Sequence, residues 1–170
     1  MSHLQPTAPL VSHLLELAQR DDRRALAALR RSLAPDCEAA AYPIVARFFP
    51  RDRRPKIERA ILTVAGLFAL HPLHGSCTLG GALRRSTEKR RSQSIESRFV
   101  AMLDASFEDV GQHLRQLVAI LATEGIGLDW SDLLRALKNW DFDENWARRD
   151  WAKDFWGSVS EENQEKEPQS

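Results

Sequence analysis

Apolar residues recur along this chain at three- and four-residue intervals, the spacing of one helix face, and no stretch alternates as a half-buried strand does. Leu10, Leu14 and Leu17 predict a first helix. Asp21 or Asp22 can cap a second, with Leu26, Leu29 and Leu33 inward and Pro35 ending it. A short helix is expected over residues 43–49, stopped by Pro50. Ile57, Ile61, Val64 and Phe68 mark a long helix that ends before Pro72. It is apolar nearly all round, which places it at the centre. Ile95, Phe99, Met102 and Leu103 form one stripe in the second half. Ser106-Phe107-Glu108-Asp109 has the form of a capping box ahead of Val110, Leu114, Leu117, Val118 and Leu121, with Gly125 as the C-cap. Asp129 is placed to cap a helix that turns Trp130, Leu133, Leu134 and Leu137 inward, and a last helix covers about residues 144–155.

Between these patterns, residues 72–94 are the loosest stretch. They hold Gly75, Gly80, Gly81 and the run Arg84-Arg85-Ser86-Thr87-Glu88-Lys89-Arg90-Arg91, with a short helix expected from about Leu79. From Ser158 onward the chain is polar and acidic, without apolar anchors, and is expected to be disordered. The fold class is therefore all-α: a compact bundle of about eight or nine helices in two small lobes, with a disordered acidic C-terminal tail. The expected organisation is an N-terminal lobe over 1–78 carrying the long helix, a basic connecting segment over 79–94, a C-terminal lobe over 95–157 and a tail over 158–170.

Charge changes the picture. The net charge is zero, but residues 20–100 hold 17 Lys and Arg against 8 Asp and Glu, and residues 101–170 hold 7 against 15. A basic half joined to an acidic half predicts one surface that meets phosphate and another that avoids it. Most of the positive charge is arginine, whose planar fork of donors grips phosphate. The set comprises Arg23, Arg24, Arg30 and Arg31 on one helix, Arg51, Arg53, Arg54, Lys56 and Arg59 around a helix start, and the 84–91 run. A solvated face is the plain alternative, but so dense a cluster favours nucleic-acid contact. No zinc-finger spacing, aromatic RNP strand or clear helix-turn-helix accompanies it, so contact is expected with the backbone, indifferent to sequence.

Other chemistry is thin. His71, His74 and Cys77, with Cys37 and His113 elsewhere, lack a fourth ligand in order, so packing is preferred over zinc. Trp130, Trp140, Trp146, Trp151 and Trp156 lie among Asp141, Asp143, Glu144, Asp150 and Asp154, whose charge repels phosphate. Core packing is expected for Trp130 and Trp140, and packing or a protein partner for the other three. No phosphate loop, nucleophile elbow or His-Glu-x-x-His motif is present, so the chain reads as a non-enzyme with no cofactor and no small-molecule substrate. Two cysteines make no disulfide framework, and residues 1–9 lack the features of a signal peptide, which points to the cytoplasm. The longest apolar run, residues 60–70, falls short of the ~20 residues of a bilayer span, so no membrane association is expected.

One ordered series is more specific. Leu29-Arg30-Arg31 is followed by Ala41-Tyr42-Pro43, Phe48-Phe49-Pro50, the apolar helix, Leu79-Gly80-Gly81-Ala82-Leu83 and Glu96-Ser97-Arg98-Phe99. Leu114-Arg115-Gln116-Leu117-Val118 and Leu128-Asp129-Trp130, leading to Leu133-Leu134-Arg135-Ala136-Leu137 and Trp140, complete it. Over about residues 10–157 this resembles the CasB small-subunit family of the type I-E CRISPR surveillance complex, Cascade. The resemblance implies a non-catalytic, all-helical protein of two lobes, present in two copies beside the backbone subunits and the guide RNA. Such a protein helps to hold target DNA while one strand pairs and the other is displaced. Its implied partners are the other Cascade subunits, a second copy of itself, guide RNA and target DNA.

Carried over by position, the resemblance implies nucleic-acid contacts at Arg30, Arg31, Lys56, Arg84 or Arg85, Arg98, Arg115 and Arg135. The charge pattern adds Arg24, Lys89, Arg90 and Arg91. Phe142 and Asp143 stand where family members often carry basic residues, and Asp104 replaces another such position; the 84–91 run can compensate. Of these, Arg30, Arg31, Lys56, Arg84, Arg85 and Arg98 are expected to face one groove. The competing reading is a helical protein–protein adaptor or small regulator whose basic patch binds an acidic partner. Salt-dependent retention of nonspecific DNA separates the two.

Overall fold

The computed structural model describes residues 7–90, 93–142 and 146–157, with the side chain of Arg90 excepted. The described chain runs α1 (Pro9–Gln19), α2 (Arg23–Arg31), α3 (Tyr42–Val45), α4 (Pro55–Leu70), α5 (Leu79–Arg90), α6 (Gln93–Leu103), α7 (Phe107–Glu124), α8 (Trp130–Lys138) and α9 (Trp146–Trp156). Short 3-10 turns, Glu38–Ala41 and Ala46–Phe48, flank α3. No strand occurs among the described residues; one isolated bridge joins His74 to Leu128. The all-α expectation holds. The tail from Ser158 lies outside the described residues, so its expected disorder does too.

Local chemistry sets the helix ends. The Asp22 carboxylate accepts from the Ala25 amide, and that of Asp129 from the Asp132 amide, each satisfying a first-turn donor left without a partner by the helix. Gly125 ends α7 at φ 65°, the left-handed conformation that glycine adopts without a side-chain clash. The capping box at Ser106 does not form. Its hydroxyl makes no bond to the α7 backbone and meets the Asp109 carboxylate at 3.2 Å, so two side chains satisfy one another instead.

α4 is the axis on which the other helices of the first half rest. Ala60, Ile61 and the whole run from Val64 to Ala69 are buried. α2 crosses it closely at Gly66, where an added β-carbon would stand 2.5 Å from the Leu33 side chain. α8 lies along another side: Trp130 meets Phe68 edge-on at a centroid distance of 5.5 Å, and Asp141, just past α8, reaches Lys56 at the opposite end of α4. α7 covers a third side, where Gly111 faces Thr63.

Within the stretch expected to be loosest, the short helix expected from about Leu79 forms as α5, Leu79–Arg90, and is packed rather than loose. Leu79, Ala82 and Leu83 of α5 belong to the core, and α5 lies against α9, α7 and α6. Gly80 sits where α5 crosses α9. An added β-carbon there would overlap the carbonyl oxygen of Trp151 and stand 2.7 Å from its carbonyl carbon. Of the glycine pair, Gly80 is a helix-crossing device, while an added β-carbon at Gly81 meets no residue of α9. Correspondingly, α8 of the acidic half docks on α4 of the basic half, and α9 docks on α5.

Trp130, Trp140 and Trp151 are fully buried, whereas Trp146 is 62% and Trp156 38% exposed. The indole N–H of Trp140 donates to the Ala105 carbonyl at 2.9 Å. The guanidinium of Arg148 stacks over the Trp140 ring at 4.3 Å and donates to the carbonyl oxygens of Leu103 and Trp140. Among the described residues, that meets the cation with oxygens and a π-face rather than with a carboxylate. His71 is buried; its Nε2 donates to the Ile126 carbonyl at 2.5 Å, and its ring meets Trp130.

One contact makes stability depend on pH. Arg47 donates to Nδ1 of His13 at 2.6 Å, which requires the neutral imidazole with its proton on Nε2. Burial first, then the charge of Arg47, hold His13 below its ordinary value of 6.5; Glu16 opposes them and Arg20 adds to them. The unfolded chain thus binds this proton more readily. The stability from His13 is complete above pH 6.5 and is lost as pH falls from there towards the lower folded value. Between about pH 7.5 and pH 5.5, the melting temperature of the wild type is expected to fall further than that of His13→Gln. Parallel melting curves in the two proteins would contradict this.

Candidate nucleic-acid interface

The twelve residues singled out by charge and resemblance fall on six helices and one segment that lies outside the described residues. Arg24, Arg30 and Arg31 are exposed on α2. Arg30 is anchored, its Nη1 donating to the Ala69 carbonyl at 3.2 Å, while Arg24 and Arg31 have no ion-pair partner among the described residues. On α5, Arg85 and Lys89 are exposed, and Arg84 is half-buried with its Nε 3.3 Å from the Glu88 carboxylate one turn on. Arg85 donates to the Cys77 sulfur at 3.8 Å. Arg98 is exposed on α6, which packs against α5. The side chain of Arg90 and all of Arg91 lie outside the described residues.

The other three stand apart. Lys56, in the first turn of α4, bonds the Asp141 carboxylate and sits 5.9 Å above the Phe107 ring. The bond to Asp141, and then that charge, raise the Lys56 pKa above its ordinary value, so it stays cationic. Arg135 on α8 is paired with Asp132 at 2.7 Å. Arg115 on α7 lines a cleft of about 330 Å³ together with Arg59, Asp36, Glu38 and Glu108, a mixed rather than a basic lining.

These positions do not form one groove by contact. Arg30 touches the last turn of α4 and Lys56 occupies the first, about 20 Å apart along the axis and on different sides of the helix. Two groups remain on neighbouring backbone: the α2 arginines, and the basic residues of α5 with Arg98 on the α6 helix packed against it. Sequence position could not reveal this division, because it does not say which end of α4 the end of α2 meets: Arg30 reaches Ala69 in the last turn, far from Lys56 in the first.

The selected set omitted residues that folding leaves available. Arg51, Arg53 and Arg54, ahead of α4, are exposed and without an ion-pair partner among the described residues. Their signal was present as a cluster beside Pro55; the resemblance directed attention to Lys56 instead. Arg148 and Arg149, assigned to the acidic half, divide in role: Arg148 is consumed by packing and Arg149 is exposed. Among the described residues, no group of three or more His, Cys, Asp or Glu side chains could hold a metal ion, and no helix is long and apolar enough to cross a membrane.

Comparison with known proteins agrees with this architecture. The family described as CRISPR-associated protein Cse2 matches residues 25–156. A CRISPR-associated Cse2 protein of Thermus thermophilus is 38% identical over 149 residues, covering 84% of this chain and 85% of that one. The crystal structure of CasB from Thermus thermophilus superposes with a TM-score of 0.77 at 32% identity, over 91% of this chain and 99% of that chain. A chain of a CRISPR RNA-guided surveillance complex superposes with a TM-score of 0.74 at 25% identity, over 93% of this chain and 95% of its own.

Proposed function

Because the chain belongs to the CRISPR-associated Cse2 family, also called CasB, we propose that it is a non-catalytic small subunit of an RNA-guided Cascade surveillance complex. The observation that carries this reading is the match to a chain of such a complex across nearly its whole length. The subunit holds the sugar-phosphate backbone of guide RNA and target DNA, favours the paired state and steadies the displaced strand. It works beside a second copy of itself and the other subunits, in the cytoplasm, without a cofactor.

The physics needs no base reading and no chemistry. Exchanging a DNA duplex for a guide–target heteroduplex is nearly balanced in free energy. A few phosphate contacts then bias the exchange, because each cation set on a phosphate releases condensed counterions. Two copies in register multiply the effect. The α2 group of Arg24, Arg30 and Arg31 and the α5–α6 group of Arg85, Lys89 and Arg98 supply these contacts, with Arg84 a lesser one because Glu88 already holds it. Lys56, Arg115 and Arg135 contribute less, since an incoming phosphate must displace a carboxylate at Lys56 and Arg135 and meets acidic neighbours at Arg115. Exposed ion pairs of this kind are weak and exchange readily.

Replacing Arg30, Arg31 and Arg85 together with Ala is expected to weaken target-DNA binding by the assembled complex. It should lower the slope of log affinity against log salt by up to about three, one per lost phosphate contact. Unchanged affinity and slope would remove these residues from the interface. Recovery of guide RNA with the tagged chain from its native host tests the membership itself.

A further inference from the structure

Tyr42, at the start of α3, and Phe49, which packs in part against the core, come together at the surface. Their rings meet edge to face, with centroids 6.0 Å apart at 83°, and Tyr42 is 45% exposed. They wall a shallow depression of about 260 Å³ that Arg53, Glu58 and Arg59 complete. Arg59 is fixed in place by Glu38 at 3.1 Å. Arg53 is exposed and, like Arg51 and Arg54 beside it, has no ion-pair partner among the described residues. An exposed aromatic ring, carboxylates and the uncommitted guanidinium of Arg53 are therefore gathered in one place.

We infer that this depression receives one unpaired nucleobase of a single strand, stacked on the Tyr42 ring, with the adjoining phosphate on Arg53. The inference rests on the nucleic-acid reading above and adds a subsite away from the α2 and α5 arginines. Stacking needs a free π-face, which a base in a duplex does not offer, so the occupant is single-stranded. The Glu58 carboxylate accepts hydrogen bonds and so suits the amino or imino edge of a base, whereas it repels a phosphate. The phosphate must then lie outward, where Arg53 stands. Contact through the ring face is tolerant of base identity, in keeping with a subunit that does not read sequence.

The full chain is titrated, at low salt, with a fluorescent single-stranded oligonucleotide and with its abasic counterpart of equal length and charge. Tyr42→Ala is expected to weaken binding of the intact strand by about tenfold and to leave the abasic strand unchanged. Tyr42→Phe keeps the stacking surface and should bind as the wild type does. Arg53→Ala should weaken both strands and lower the salt slope by about one. A strand carrying 5-iodouracil is expected to cross-link to the peptide containing Tyr42. If Tyr42→Ala leaves the intact strand's affinity unchanged while wild-type binding remains salt-dependent, the subsite is overturned and the backbone-binding reading stands. If the wild type binds neither strand, both fall together.

Discussion

Gly80→Ala is expected to lower stability by about 3 kcal/mol, while Gly81→Ala, one residue on, leaves it unchanged or raises it. Both positions lie in α5. At Gly80 the new methyl would meet the Trp151 carbonyl, an atom of backbone that no rotamer change can move aside. Relief would require α9 to lift from α5, uncovering Leu79, Leu83 and Trp151 together. At Gly81 the nearest atoms are Thr78 Oγ1 at 3.7 Å and Cys77 Cβ at 3.8 Å, ordinary contact distances. There alanine keeps its helix advantage of about 1 kcal/mol over glycine. Denaturant midpoints of the two variants decide the matter. A Gly80→Ala protein as stable as the wild type would mean that α5 and α9 do not cross as described.

Trp140→Ala should cost about 3–5 kcal/mol, the range for emptying a large buried site. The indole touches Trp151 at a centroid distance of 5.9 Å, bonds the Ala105 carbonyl and supports the Arg148 guanidinium. Its removal leaves a cavity and strips the cation of its π-face, so relaxation has little to offer. Trp146→Ala is the contrasting case: that side chain is largely solvated, and its loss should leave thermal unfolding within a degree or two. Equal destabilisation by the two variants would refute the assignment of Trp140 to the core and Trp146 to the surface.

The helices that the sequence made legible are those whose periodicity and punctuation agree. Asp22, Asp129 and Gly125 mark ends that form as read, and the buried side chains of α1, α7 and α8 follow the leucine spacing. The start of α5 was read but its close packing was not, because glycine carries two meanings. It relaxes a free chain, but it also lets two backbones approach, and only the partner helix distinguishes these. Leu79, Ala82, Leu83 and Ser86 held the helical spacing that could have settled the point, and all four are buried. The capping box failed for a smaller reason, an Asp in place of the longer Glu at its fourth position.

The candidate site was legible in its charge and in its family, less so in its layout. Counting arginines along the chain located exposed basic residues on α2 and α5, since such side chains have few alternatives to solvent or phosphate. It could not foresee that Arg30 and Lys56 would lie at opposite ends of α4, or that Asp141 would claim Lys56 across a separation of many helices. Nor could it join Tyr42 to Phe49 and Arg53, which meet only because the chain doubles back between α3 and α4.

The docking of α8 on α4 has a bearing on how the protein is made. A ribosome delivers α4 long before it delivers α8, so throughout that interval the nascent chain carries an apolar girdle with one side bare. Synthesis that pauses between the two leaves a sticky helix waiting for its cover. In the cell, chaperones that attend nascent chains would find their target there, and slowing elongation over the codons for 71–129 should send more of the product into inclusion bodies.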